Sequence, residues 1–178
     1  MASVFFKGTR LCESGGHCSQ DPTNANLDIG PDLPKGRGEK LKQSVHCLDI
    51  TTRGNALYEF TSSISEWLRR QNIETGLLTV FCRHTSASLL IQENADPTVQ
   101  ADIKAYFDRI APEDGPYDHD SEGADDMPAH LKTALTQVHL SIPVLNGNLA
   151  LGTWQGIYLF EHRVRPHTRE ILLHLIGE

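Results

Sequence analysis

The sequence predicts an α+β fold: an antiparallel, sandwich-like β domain with two or three helices on its outside. Three observations carry this expectation. Short stretches between Val45 and Ile176 alternate apolar and polar residues with the period of a half-buried strand. Asn146-Gly147 stands between two apolar runs, a strong short-range hairpin signal. Helix starts are marked at Asp96-Pro97 and again just before Pro128.

The elements follow in order. Val45–Thr51 puts Val45, Cys47 and Asp49 on one face and His46, Leu48 and Ile50 on the other, which suits a strand; Tyr58–Thr61 is expected to pair with it. A helix follows, with Ser63 and Glu66 at capping-box spacing and an apolar stripe of Ile64, Trp67 and Leu68, closed by Gly76. Leu77–Arg83 and Ala87–Gln92 read as strands broken by the polar His84-Thr85-Ser86. Asp96 caps the next helix, in which Val99, Ile103 and Phe107 have helical spacing. Residues 111–126 form a long loop, and a short helix runs from Pro128 to about Ala134 with Asp126 or Met127 as its cap. Val138–Val144, Leu149–Leu159 and Glu170–Ile176 complete the strands. Residues 1–40 are rich in Gly, Pro and Asn without apolar period and are expected to be a disordered leader, leaving 41–178 as one domain.

Composition narrows the function classes. The net charge is −7, and the first 40 residues contribute none of it, because their five basic and five acidic residues cancel. An acidic domain is a poor partner for nucleic acid or an anionic membrane surface, and neither is expected. No apolar run is long enough to span a bilayer and no secretory signal is evident, so a cytoplasmic location is expected. Cys12, Cys18, Cys47 and Cys82 form no CxxC pair; Cys12 and Cys18 are read as reduced thiols of the leader, or else a loose metal loop with His17, and Cys47 and Cys82 as small core residues of apolar strands.

Three segments hold polar residues that packing alone does not call for: Arg83–Ser88, Tyr117–His130 and Gly152–Arg163. His84 suits a ligand or a general acid/base, or else a strand-end histidine bonded to a backbone carbonyl. His119 suits a metal ligand, or else a solvated loop residue. His130 lies in the first turn of the short helix, where the helix dipole favours neutral imidazole, the metal-ligating form. Together His84, His119 and His130 would give three imidazoles for zinc or another divalent ion such as magnesium. Glu122 could orient an imidazole or act as a base, and Glu161 is expected to pair with Arg163. Trp154 and Gln155 read either as core residues eased by Gly152 and Gly156 or as an aromatic wall with an amide donor.

The same segments carry a resemblance. His84-Thr85-Ser86-Ala87 running into Gln92–Pro97, then Glu122–His130, then Leu151–Tyr158 resemble the YjbQ family, whose members are sometimes called secondary thiamine-phosphate synthase-like proteins. Over about residues 41–178 the resemblance implies a sandwich-like fold and a homotrimer with sites near subunit contacts. It also implies a polar pocket built from His84, His119, Glu122 and His130. For activity it implies the joining of a pyrimidine diphosphate to a thiazole phosphate. His84, Glu122 and His130 would then be catalytic. Thr85, Ser86, Lys132, Trp154 and Gln155 would bind the small phosphorylated ligand, and Arg83, Lys132 and Arg163 are the cations available to clamp it. The alternative is a non-catalytic trimeric module that binds a metal or a small phospholigand.

Overall fold

The period-two stretches do become strands, in two antiparallel sheets. A computed structural model describes residues 40–178; the leader expected over 1–40 otherwise lies outside the described residues. The elements are β1 (Lys42–Thr51), β2 (Ala56–Glu59), α1 (Thr61–Arg69), β3 (Thr75–Cys82), β4 (Ala87–Glu93), α2 (Pro97–Ile110), α3 (Asp126–Leu135), β5 (His139–Leu145), β6 (Asn148–Leu149), β7 (Gln155–Glu161) and β8 (Thr168–Gly177). Five strands form one sheet in the order β1-β8-β3-β5-β6, and three form the other in the order β2-β7-β4. No helix among the described residues is long and apolar enough to cross a membrane.

The core lies between the sheets. Leu78, Val80, Leu140, Ile142, Ile171, Leu173 and Leu175 point in from the larger sheet and meet Leu89, Ile157 and Leu159 of the smaller one. From the side, α1 adds Ile64, Trp67 and Leu68, the stripe read from its spacing. Strand β7 is buried along nearly its whole length, because α2 covers its other face with Phe107 edge-on to Phe160, 5.5 Å between ring centroids. Asn146 and Gly147 both have positive φ, 51° and 69°, and make the two-residue turn between β5 and β6.

Several local expectations are corrected. Tyr58 and its neighbours pair with β7 rather than β1, since β8 occupies the inner edge of β1. No capping box forms at α1, whose N-cap is Phe60, three residues before Ser63 and without a side-chain cap bond; Gly76 belongs to β3. The stretch Leu149–Leu159 is two strands parted by a turn at 152–155, so Trp154 lies in a turn and is 64% exposed. Asp96 caps α2 as its sequence indicates, accepting from the Thr98 N–H at 2.9 Å.

Candidate metal centre

Helical spacing builds the first pair of site residues. Asp126 opens α3 and His130 follows one turn later, so their side chains share a face. The His130 Nε2 lies 3.7 Å from Asp126 Oδ2. On its other side the His130 Nδ1 is 3.0 Å from the Thr85 carbonyl oxygen, in the turn between β3 and β4. A carbonyl oxygen only accepts, so Nδ1 carries a hydrogen, and in the neutral ring Nε2 keeps its lone pair.

The long acidic loop adds the third residue. His119 places Nε2 2.9 Å from the same Asp126 Oδ2. That contact lacks hydrogen-bond direction, and Oδ2 is a buried oxygen without a hydrogen-bond partner among the described residues. The ligand-type atoms of His119, Asp126 and His130 all lie within 4.8 Å of one another.

Arg163, just past β7, holds this arrangement. Its Nη1 donates to Asp126 Oδ1, its Nε to Asp125 Oδ2 at 3.0 Å and its Nη2 to the Glu122 carbonyl at 2.9 Å. The Val164 N–H also donates to Asp125 Oδ2, at 2.8 Å. Burial alone would raise the Asp125 carboxyl, but the Val164 N–H and Arg163 outweigh it and hold the group below the usual carboxylate range. Gly123, with φ of 113°, gives the loop the turn that brings Glu122 and Asp125 to one guanidinium.

A cleft of about 730 Å³ adjoins the cluster, between the end of β3 and α3, with His130 in its wall. His84 lines the same cleft but stands outside the cluster of three: its Nε2 accepts the Glu170 N–H at 2.8 Å. Burial first, and Arg169 second, lower its basicity. Thr85 contributes its carbonyl to His130, and Ser86 gives its carbonyl to the His162 N–H at 3.3 Å. Lys132 is 2% exposed and donates to Asp108 Oδ1 at 2.6 Å. Glu122 extends into solvent, with its carboxylate 3.8 Å from Arg163. Trp154 and Gln155 are at the far end of β7, about 20 Å along the strand from Glu161; Gln155 Oε1 accepts the Gly152 N–H at 2.8 Å. The structure therefore brings together His119 and His130, sets His84 beside them, and leaves Lys132, Trp154 and Gln155 elsewhere.

Two residues not expected at a metal centre complete the site. Asp126 was readable from its four-residue spacing to His130. Arg163 was expected on Glu161, but that carboxylate is taken by Arg169, whose Nη2 and Nε reach it at 2.5 and 2.7 Å. No local pattern reveals this choice, because Arg169 comes from the next strand.

A family model described as UPF0047 protein YjbQ-like matches residues 46–178. The chain belongs to this YjbQ-like family. A UPF0047 protein of Synechocystis is 52% identical over 139 residues, covering 78% of this chain and 95% of that protein. The UPF0047 protein YjbQ of Escherichia coli O157:H7 is 48% identical over 132 residues, covering 74% and 96%. A crystal structure of an uncharacterised YjbQ/UPF0047 protein from Clostridium acetobutylicum superposes with a TM-score of 0.66 at 33% identity, covering 74% of this chain and 98% of that one. A Sulfolobus solfataricus structure, at 23% identity, TM-score 0.69 and coverage of 77% and 100%, shares the fold and is described as a protein of unknown function.

These comparisons correct the expected activity. None of these relatives bears a synthase name, and the two crystal structures are described as those of an uncharacterised protein and of a protein of unknown function. The joining of a pyrimidine diphosphate to a thiazole phosphate is withdrawn. The site agrees with that correction: Arg163, Lys132 and Arg83 are engaged by Asp125 and Asp126, Asp108 and Glu170 respectively. No free cationic clamp for a diphosphate is left among the three.

Proposed function

We propose that His119, Asp126 and His130 bind one divalent transition-metal ion of the zinc type and leave a coordination position open beside the cleft. The observation that carries this reading is Asp126 Oδ2, a buried oxygen without a hydrogen-bond partner that has two imidazole nitrogens at 2.9 and 3.7 Å. Ligands about 2.0–2.1 Å from a common tetrahedral ion stand roughly 3.3 Å apart, between the two separations found. Arg163 occupies Oδ1, so the carboxylate offers one oxygen only. Two imidazoles and one carboxylate oxygen suit zinc and its neighbours, whereas magnesium and calcium require more oxygen ligands. Three protein ligands with an open fourth position is the arrangement of catalytic rather than structural zinc; such an ion supplies Lewis acidity and an activated water.

Around the ion, Thr85 would set the His130 tautomer and Arg163 would orient Asp126. Isothermal titration with zinc should give one site, and Asp126→Asn should weaken it about a hundredfold. Ligation needs neutral imidazole, so binding should release protons and weaken in acid. Equal zinc affinity in wild type, Asp126→Asn and His119→Ala would sink the proposal.

The homotrimer expectation is carried within the same reading. Val45, Leu77, Phe81 and Leu145 are exposed apolar residues on the outer face of the five-stranded sheet, a surface that self-association would cover.

A further inference from the structure

The surroundings of His84 restrict its chemistry more tightly than those of the other histidines near the cleft. Beyond Cys82 the regular pairing of β3 with β8 ends, yet residues 83 and 84 prolong it by other means. The Arg83 N–H donates to the Glu170 carbonyl at 3.3 Å, and the Glu170 N–H donates to His84 Nε2 at 2.8 Å. The imidazole nitrogen thus stands where a strand carbonyl would be. An N–H aimed at Nε2 requires a lone pair there, so the neutral ring carries its hydrogen on Nδ1. Nε2 is therefore unavailable both as a metal ligand and as a base. Among the described residues Nδ1–H has no hydrogen-bond partner, and the ring lines the cleft.

The rest of the cleft has two characters. Phe81, Ala134 and Val138 give it apolar walls, while His84, His130 and the Glu170-paired Arg83 are its nitrogen-bearing side chains. We propose that the cleft is a binding site for a small molecule with an apolar body and an oxyanion head, and that the His84 Nδ1–H is its fixed hydrogen-bond donor. An oxyanion fits better than a neutral acceptor because a bond from a neutral donor to a charged acceptor is the stronger kind; Arg83 stands on the same wall, but its charge is already met by the Glu170 carboxylate. Carboxylate and phosphoryl heads share this chemistry. The site goes beyond the metal reading and does not require it, since both walls are set by the β3–β8 pairing and α3.

Two experiments decide it. Long-range nitrogen–proton NMR on protein labelled at histidine should show His84 as the Nδ1–H tautomer, assigned by its loss in His84→Gln. An Nε2–H tautomer would overturn the proposal. Phenylphosphonate and benzoate are then titrated, with benzyl alcohol as the neutral control, each with and without zinc. Either anion should bind more tightly than the alcohol, and which one does identifies the head. His84→Gln keeps an oxygen where Nε2 accepted the Glu170 N–H but leaves no N–H at the Nδ1 position; it should weaken anion binding about tenfold. His84→Asn keeps a donor near the Nδ1 position and should stay within about threefold of wild type. Equal binding by wild type and His84→Gln, or no binding of either anion in both zinc conditions, would overturn the site. Zinc titration of the same variants is the separate readout of the metal cluster, so failure of one reading is visible apart from failure of the other.

Discussion

Two arginine–carboxylate centres flank the end of β7, and they are built to different standards of completeness. In the first, Glu161 is fully buried, and each of its oxygens accepts two bonds: Oε1 from Arg169 Nη2 and the Arg163 N–H, Oε2 from Arg169 Nε and the Thr52 hydroxyl. Burial alone would raise its carboxyl, but Arg169, the Arg163 N–H and Thr52 outweigh that and lower it. In the second, Arg163 grips one oxygen of Asp126 and leaves the other buried and unbonded between two imidazoles. A buried charge with every lone pair used is a structural joint; one left incomplete, beside a cleft, is a place for a ligand.

The largest effect expected from this contrast is on stability. Glu161→Ala leaves Arg169 charged, 4% exposed and without its carboxylate, and should cost about 3–5 kcal/mol in urea unfolding. Asp126→Asn should cost only about 1 kcal/mol, because Arg163 retains Asp125 and the Glu122 carbonyl. Comparable losses would erase the distinction between joint and site. The pH sense also follows: the lowered Glu161 carboxyl stabilises the fold above the usual Glu range, and that contribution is lost as pH falls through its own lower value.

A smaller effect separates a third buried group from both centres. His162 bonds Ser88 Oγ through Nε2 at 2.9 Å, while its Nδ1 is buried without a hydrogen-bond partner among the described residues. Burial, and then Lys132 and Arg169, push its pKa down to about 3. The unfolded chain takes up a proton on this ring near pH 6.5 and the folded chain does not, so stability falls as pH falls below that value. Between a pH well above 6.5 and pH 5 the loss should be about 2 kcal/mol. The double variant Ser88→Ala/His162→Phe removes both partners of the bond and should flatten this part of the curve. An unchanged slope would show that other groups dominate acid unfolding.

How far the sequence foretold this molecule depends on the range of the interaction. The strands, the Asn146-Gly147 turn and the Asp96 cap are local and were legible, because each depends on residues within one turn or one period. His119 and His130 were legible as polar residues that packing did not call for, while their meeting at Asp126 rests on the fold of the loop. Trp154 was misplaced because a turn at 152–155 interrupts what reads as one long strand. The partner of Arg163 was misread because Arg169 wins Glu161 from across the β7–β8 connection, a contest that spacing does not encode. The same blindness hid the Glu170 N–H that occupies His84, eighty-six residues away in sequence.

The smallest expected effect sharpens the contrast at Glu122, which the sequence marks as a base or an imidazole-orienting carboxylate. In the structure the backbone of this residue does the holding: its carbonyl accepts Arg163 Nη2 at 2.9 Å, while the carboxylate is 69% exposed and 3.8 Å from the guanidinium. Exposed pairs at such separations contribute about 0–1 kcal/mol. Glu122→Gln should therefore change stability by no more than about 0.5 kcal/mol and leave zinc affinity within about twofold, since Asp125 and Asp126 still position Arg163. The informative failure is a large loss of zinc affinity with stability unchanged. That result would move Glu122 from the rim of the loop into the coordination sphere and make the open position of the metal a closed one.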